Sequence, residues 1–305
     1  MMLNSANSRL IVRELKLSDY PQFKKLFYLC FKKHVSYKFF KWQYFDDKVS
    51  FCYGVFKSSE QIANVGMKFK YINLKKKSKI FSRHSSMVLK SYRNKGIFSR
   101  LLQEVKKKKF DNISAIIMWP NNNNFASFGI SRLNLIKIKY FLYQKNKKIK
   151  PILKKTYNYR INELIKFKSF IDNNNSFLFK DLNYYKNRYL TFKKNYYFIN
   201  KFNINNSTSF FILKKQKLNS SYFFVVLDHF GCDKIKSIHL NQLLKEEEKI
   251  IFWNKKKIQQ KNCKQIGYIN ANVGLIKNKN EIKRKLIAQD KDLMPGDTDT
   301  FLELI

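Results

Sequence analysis

The chain has 305 residues, of which 44% are hydrophobic and 16% aromatic. That length suits one large domain or two ordinary ones, and that composition builds a sizeable core and excludes a disordered chain. The formal net charge of +41 suits nucleic acid or an anionic membrane as partner, yet lysine arrives with Asn, Ile, Phe and Tyr, all of A/T-rich codons; coding bias explains the excess as well.

The basic runs at 75–77, 106–109 and 255–257 are scattered and build no single stripe, which argues against a dedicated nucleic-acid face. The longest apolar runs, such as SYFFVVL, fall far short of the ~18–20 residues that span a bilayer. MMLNSANSRL has no apolar core segment, and Cys30, Cys52, Cys232 and Cys263 lie far apart, so reduced thiols in a cytoplasmic protein are expected. His229 and Cys232 in DHFGCD have ligand-like spacing, but a metal site needs three or four ligands, so no metal is expected.

In chain order, residues 9–15 (RLIVREL) read as a strand. Residues 18–31 read as a helix, with Ser18 or Asp19 as cap and Pro21 in the first turn. Its buried face is Phe23, Leu26, Phe27, Cys30 and Phe31. Residues 50–57 and 61–72 form a strand pair around the turn SSE, and HSSMVL (84–89) is the next strand. A helix over 96–109 follows, with Ile97, Phe98, Leu101, Leu102 and Val105 on one face. ISAIIMW (113–119) is a continuous apolar run of the kind buried on both sides. PNNNN ends it; a short helix (125–133) and a strand (136–143) come next. The order β–α–β–β–β–α–β–α–β predicts an α/β fold (a mixed α+β sheet) with a central parallel pair bridged by the Gly96 helix. The lysine-rich segment 144–150 separates a domain over 1–148 from a second over 149–305.

The second half echoes the first. FFKWQYF (39–45) matches YYKNRYL (184–190), MVL (87–89) matches VVL (225–227), and IIMWPNN (116–122) matches IIFWNKK (250–256). After VVL the second half keeps a helix but lacks the RNKGIF loop. The first lobe therefore reads as active and the second as scaffold.

KSYRNKGI, between strand and helix, is where anion chemistry is expected. The first N–H groups of a helix have no intrahelical partners, and with the helix dipole they attract anions. Gly96 lets a phosphate approach the backbone, and Lys90, Arg93 and Lys95 add positive charge. The spacing is neither that of an NTP-binding loop nor that of a dinucleotide fingerprint. On the local residues alone, a plain turn and an anion site both remain open.

With its flanks, MVLKSYRNKGIFSRLL followed by a buried strand ending in WPNNNNFASF, this segment resembles the GNAT N-acetyltransferase superfamily. In that family an Arg/Gln-x-x-Gly-x-Gly/Ala loop holds the pyrophosphate of acetyl-coenzyme A; the matching residues are Arg93, Gly96 and Phe98, the last replacing a small residue. FFKWQYF and PGDTDTF (295–301) are similar to segments of a two-lobed subgroup tied to surface-polysaccharide biosynthesis. The resemblance covers about residues 10–143 well and the remainder loosely. It implies that acetyl-CoA is bound by Val88, Leu89, Lys90, Arg93, Asn94, Lys95, Gly96, Ile97 and Phe98. The strand through 87–89 would part from the strand through 116–119, the pantetheine arm would lie in that gap, and an amide near Val88 or Leu89 would hold the thioester oxygen. The acceptor would be an amine, such as an amino sugar. The tyrosine that many members use as acid would fall at Ile130, by alignment of Asn123 and Ala126; Tyr140 or a water is the substitute. Where subgroup members carry a carboxylate, this chain has Ser85 and Ser86, and His84 is the nearest titratable group, the candidate catalytic residue. Asp297 and Asp299 are outside candidates. Two other readings stand beside this one: a Fem-type transferase using aminoacyl-tRNA, and a non-catalytic basic binding module.

Overall fold

The computed structural model describes residues 10–46, 50–72, 77–118, 134–145, 157–172, 178–190, 197–218, 221–246, 250–254, 263–277 and 279–288. Contacts divide the chain into two compact units. The first comprises Met1–Lys70, Lys79–Leu135 and Gly274–Lys277; the second comprises Tyr71–Ser78, Ile136–Val273 and Asn278–Ile305. The division thus falls before the strand at 136–143 rather than at the lysine-rich segment after it.

In the first unit the chain forms β1 (Leu10–Glu14), α1 (Tyr20–Phe31), α2 (Tyr37–Tyr44), β2 (Ser50–Lys57), β3 (Glu60–Ile72), β4 (Ser78–Val88), α3 (Ile97–Lys109) and β5 (Ala115–Met118). The sheet order is β1-β2-β3-β4-β5. β1–β2 and β2–β3 are antiparallel, and β4–β5 is parallel, as the sequence predicts for strands joined by a crossover helix.

α1 buries Phe23, Leu26 and Phe27, but Phe31 is 41% exposed. Eight residues at about 100° each put Phe31 some 80° around the helix from Phe23, at the edge of the stripe. Asp19 does not cap α1 with its side chain. Its carboxylate turns back, accepting from Lys16 N–H at 2.7 Å and from both terminal nitrogens of Arg13 at 2.7 Å. That bidentate bond holds the Asp19 carboxyl below its ordinary pKa.

FFKWQYF proves to be α2. Ser36 caps it, accepting from Phe39 N–H at 3.1 Å, and Phe40 and Tyr44, four residues apart, pack on Phe23 at ring distances of 4.7 and 5.4 Å. β4 starts at Ser78, six residues before the predicted start. Ile80 and Phe81 are buried there, while Lys79 lays its ammonium 3.8 Å over the Phe69 ring, so a lysine-rich stretch still pairs as strand.

The second unit contains β6 (Asn134–Lys145), β7 (Tyr157–Arg160), α4 (Lys168–Asp172), α5 (Leu182–Tyr185), β8 (Tyr197–Ile204), β9 (Ser207–Leu218), β10 (Ser221–Gly231), α6 (Lys236–Glu246), β11 (Ile250–Asn254), β12 (Cys263–Leu275) and α7 (Lys279–Ala288). Its strand order is β12-β6-β11-β10-β9-β8-β7. From β7 to β11 the elements repeat the order from β1 to β5: antiparallel β7–β8 and β8–β9, then β10 parallel to β11 after a bridging helix. The match of VVL to MVL is out of step: Val225 pairs with Ile251, the place Ser82 takes opposite Ile117, well before Met87.

Candidate functional site

β4 is regular at its start and irregular at its end. Its parallel pairing with β5 runs from Ile80 opposite Ala115 to Arg83 opposite Met118. Two residues later Ser85 takes a left-handed conformation (φ +47°), which turns the chain out of regular strand geometry just before Met87 and Val88. Leu89 N–H then donates to Ile62 C=O at 2.9 Å, and a 3-10 turn over Lys90–Tyr92 leads away from the sheet.

The loop that follows is held by the chain itself. Arg93 donates from its N–H to Lys90 C=O at 3.2 Å and from Nε to Val88 C=O at 3.1 Å, which ties the loop to the end of β4. Asn94 and Gly96 are both left-handed, at φ +60° and +71°. Asparagine and glycine are the residues that tolerate this geometry. The first α3 bond is Arg100 N–H to Gly96 C=O at 3.0 Å, so the amides of Ile97, Phe98 and Ser99 have no intrahelical acceptor. A Cβ built on Gly96 meets nothing within 4 Å. The loop therefore opens onto space at the point where α3 presents its first amides. Lys90, Arg93 and Lys95 are exposed around it, and Lys57 and Lys95 flank the Tyr92 ring at 5.9 and 5.7 Å. A diphosphate fits this donor set: backbone amides, a helix start and exposed cations at a residue without a side chain.

Phe98 does not crowd the cradle. Its ring packs on the first unit's core, with the Arg83 guanidinium 5.5 Å from its centre, and only its backbone N–H belongs to the loop. Burial holds Arg83 down at about 10. Cys30 lies under the same loop, Sγ 3.6 Å from Val88 C=O, and burial raises its pKa against the nearby Arg93 charge.

His84 is 6% exposed and stacks on Tyr44 at 5.3 Å. Its Nδ1 is 3.4 Å from Gln43 Nε2 and 3.4 Å from Ser85 Oγ. Gly66 makes room for this stack, since a Cβ there would lie 2.5 Å from His84 Cε1 and 2.7 Å from Tyr44 Cε1. The sequence signalled His84 by residue type alone; Gly66, Gln43 and Tyr44 carried no local signal. Of the residues expected to bind the coenzyme, Val88 ends β4, Lys90 opens the 3-10 turn, Arg93–Gly96 form the loop, and Ile97 and Phe98 begin α3. Asn123, Ala126, Ile130, Asp297, Asp299 and the helix at 125–133 lie outside the described residues, and of Tyr140 only the backbone, in β6, is described.

In the second unit the turn corresponding to Lys90–Tyr92 is Asp233–Ile235, and α6 starts at the very next residue, Lys236. In the first unit residues 93–96 intervene between turn and helix. His229 is buried against Phe211 at 5.1 Å, and burial pushes its pKa well down. Among the described residues no group of three His, Cys, Asp or Glu could hold a metal ion.

No family model matches the sequence, and no curated protein matches it. Solved structures do. A GCN5-related N-acetyltransferase from Anabaena variabilis superposes with TM-score 0.63 at 6% identity, covering 87% of this chain and 72% of its own. One from Kribbella flavida gives 0.63 at 10% identity, over 90% and 73%. N-myristoyltransferase of Saccharomyces cerevisiae with bound myristoyl-CoA gives 0.57 at 10% identity, over 90% and 80%. At these identities the likeness establishes the fold: the chain has the mixed α/β architecture of the GCN5-related acyl-CoA N-acyltransferases.

Proposed function

We propose that the protein is an acyl-coenzyme A-dependent N-acyltransferase, with acetyl-CoA as donor and an amine, such as an amino sugar destined for a surface polysaccharide, as acceptor. The observation that carries this reading is the Gly96 cradle: a left-handed glycine open to space, at the first amides of α3, ringed by Lys90, Arg93 and Lys95. The N-acetyltransferase and myristoyl-CoA neighbours support it at the level of fold.

Bound acetyl-CoA would supply an activated thioester. The amides of Ile97 and Phe98 with Lys90, Arg93 and Lys95 would hold its pyrophosphate, and Asn94 shapes the turn. Of the two proposed oxyanion donors, Leu89 is already committed to Ile62 C=O, which leaves Val88 N–H. A donor so placed contributes roughly 3 kcal/mol to the transition state. The attacking amine must lose a proton. His84, one residue before the left-handed Ser85, is the candidate acceptor of that proton; with its ring buried it would act through Ser85 Oγ, 3.4 Å from Nδ1.

Gly96→Asp places a carboxylate in the cradle, in a conformation that Asp tolerates. Calorimetry with acetyl-CoA should then show at least about a hundredfold loss of affinity, from like-charge repulsion in place of the diphosphate contact. Unchanged affinity overturns the assignment.

A further inference from the structure

We infer that Asn64 is the residue that holds Ser85 of β4 in its left-handed conformation, and so is a positioning residue for the coenzyme site; the inference rests on the function proposed above. Ser85 is left-handed in the middle of a strand. For a residue other than glycine that conformation is unfavourable by roughly 1–2 kcal/mol and persists only where the surroundings fix it. Asn64, 0% exposed on β3, donates from Nδ2 to Ser85 C=O at 3.1 Å. The amide cannot turn the other way, because its Oδ1 accepts from Gln61 Nε2 at 2.9 Å and from the Cys52 thiol at 3.1 Å. Burial pushes the Cys52 thiol far above its ordinary pKa, so it stays protonated and remains a donor. Gly54 leaves the space for Gln61: a Cβ there would lie 2.8 Å from Gln61 Nε2.

Two donors on the oxygen therefore aim the nitrogen, and the nitrogen fixes the Ser85 carbonyl. The peptides that follow, through Val88, inherit their direction from it. In the second unit Cys232 N–H donates to Thr208 C=O at 2.8 Å as Leu89 N–H does to Ile62 C=O, which puts the apolar Phe210 at the place of Asn64; among the described residues that unit lacks this arrangement. There the turn also passes directly into the helix, so among the described residues the amide device and the cradle occur together in one unit and not in the other.

The test pairs Asn64→Leu with Val65→Ala, a neighbouring core truncation that also lowers stability but leaves the Ser85 contact. Hydrogen exchange over residues 82–90 and calorimetric titration with acetyl-CoA are measured on the full chain. Asn64→Leu should speed exchange over 85–89 and weaken acetyl-CoA binding about tenfold, the worth of one buried hydrogen bond. Val65→Ala should leave both within about threefold. The assignment is overturned if Asn64→Leu leaves exchange over 85–89 unchanged, or if Val65→Ala moves exchange and affinity equally. If the unmodified protein binds no acetyl-CoA while Asn64→Leu still speeds exchange, the coenzyme reading fails and the role of Asn64 in holding Ser85 stands.

Discussion

Gly66 shows how little of the His84 environment lies in the neighbouring letters. The missing side chain is what lets an imidazole and a phenol ring stack face to face beneath β3. A methyl group there would overlap the His84 ring and the Tyr44 ring at once, and both are buried, so neither can swing into water. Gly66→Ala should therefore lower stability by about 1–3 kcal/mol, the usual range for overpacking. Chemical denaturation of the pair of proteins measures it, and an unchanged midpoint would mean that the stack is loose. The sequence exposed His84 as the nearest titratable group to the predicted site, because residue type is local information. It gave no hint that the ring is buried, because its neighbours arrive from 18 to 41 residues away. Cradle residues 93–96 are the opposite case: their chemistry is local, so adjacent letters were enough to mark a possible anion site, and the flanking strand and helix were needed to narrow it.

Among the elements, α1 and α3 were legible because each carries a helical stripe. α2 was hidden by its length: eight residues with alternating lysines and aromatics match several periods, and the Ser36 cap is the feature that distinguishes it. The early half of β4 was hidden by its lysines, of which Lys79 places its ammonium over the Phe69 ring and so lies on the strand without exposing an apolar face in the sequence. The connection between β4 and α3 differs between the two units. In the second unit a 3-10 turn passes directly into α6, so a strand–turn–helix of this kind closes without residues 93–96. Joining Tyr92 to Ile97 by deletion of those four residues should leave helical content by circular dichroism within a few per cent of the parent. Acetyl-CoA affinity should fall by at least about a hundredfold, since the turn that presents the amides is gone. Loss of the fold would show that the loop is structural in the first unit.

The molecule as a whole carries a charge of +41, and 53 of its 62 basic residues are lysine. Charge of one sign on that scale repels itself in the folded state, and salt screens the repulsion with a Debye length near 10 Å at 0.1 M. The melting temperature should rise by several degrees between about 20 and 300 mM sodium chloride. The same series separates the readings of function. Affinity for a transfer RNA would fall by orders of magnitude over that range, with a slope set by the phosphates neutralised, whereas a single diphosphate held by backbone amides and a few cations loses far less. The repeated order of elements was partly legible, through the aromatic segments at 39–45 and 184–190. It became firm only with pairing and register, which correct the match of VVL to MVL.

The short return of Gly274–Lys277 to the first unit bears on the order in which the protein can be made. Ile276 and Lys277 both donate their N–H groups to Ser114 C=O, at 2.8 and 3.0 Å, in the segment that leads into β5. On a ribosome, everything from β1 to β5 emerges well before these residues exist. The unit that bears the cradle must then wait, through the synthesis of some 140 further residues, for the strap that completes it. A nascent chain or a fragment ending near residue 148 would hold every predicted coenzyme contact and still lack a piece of the scaffold beneath them.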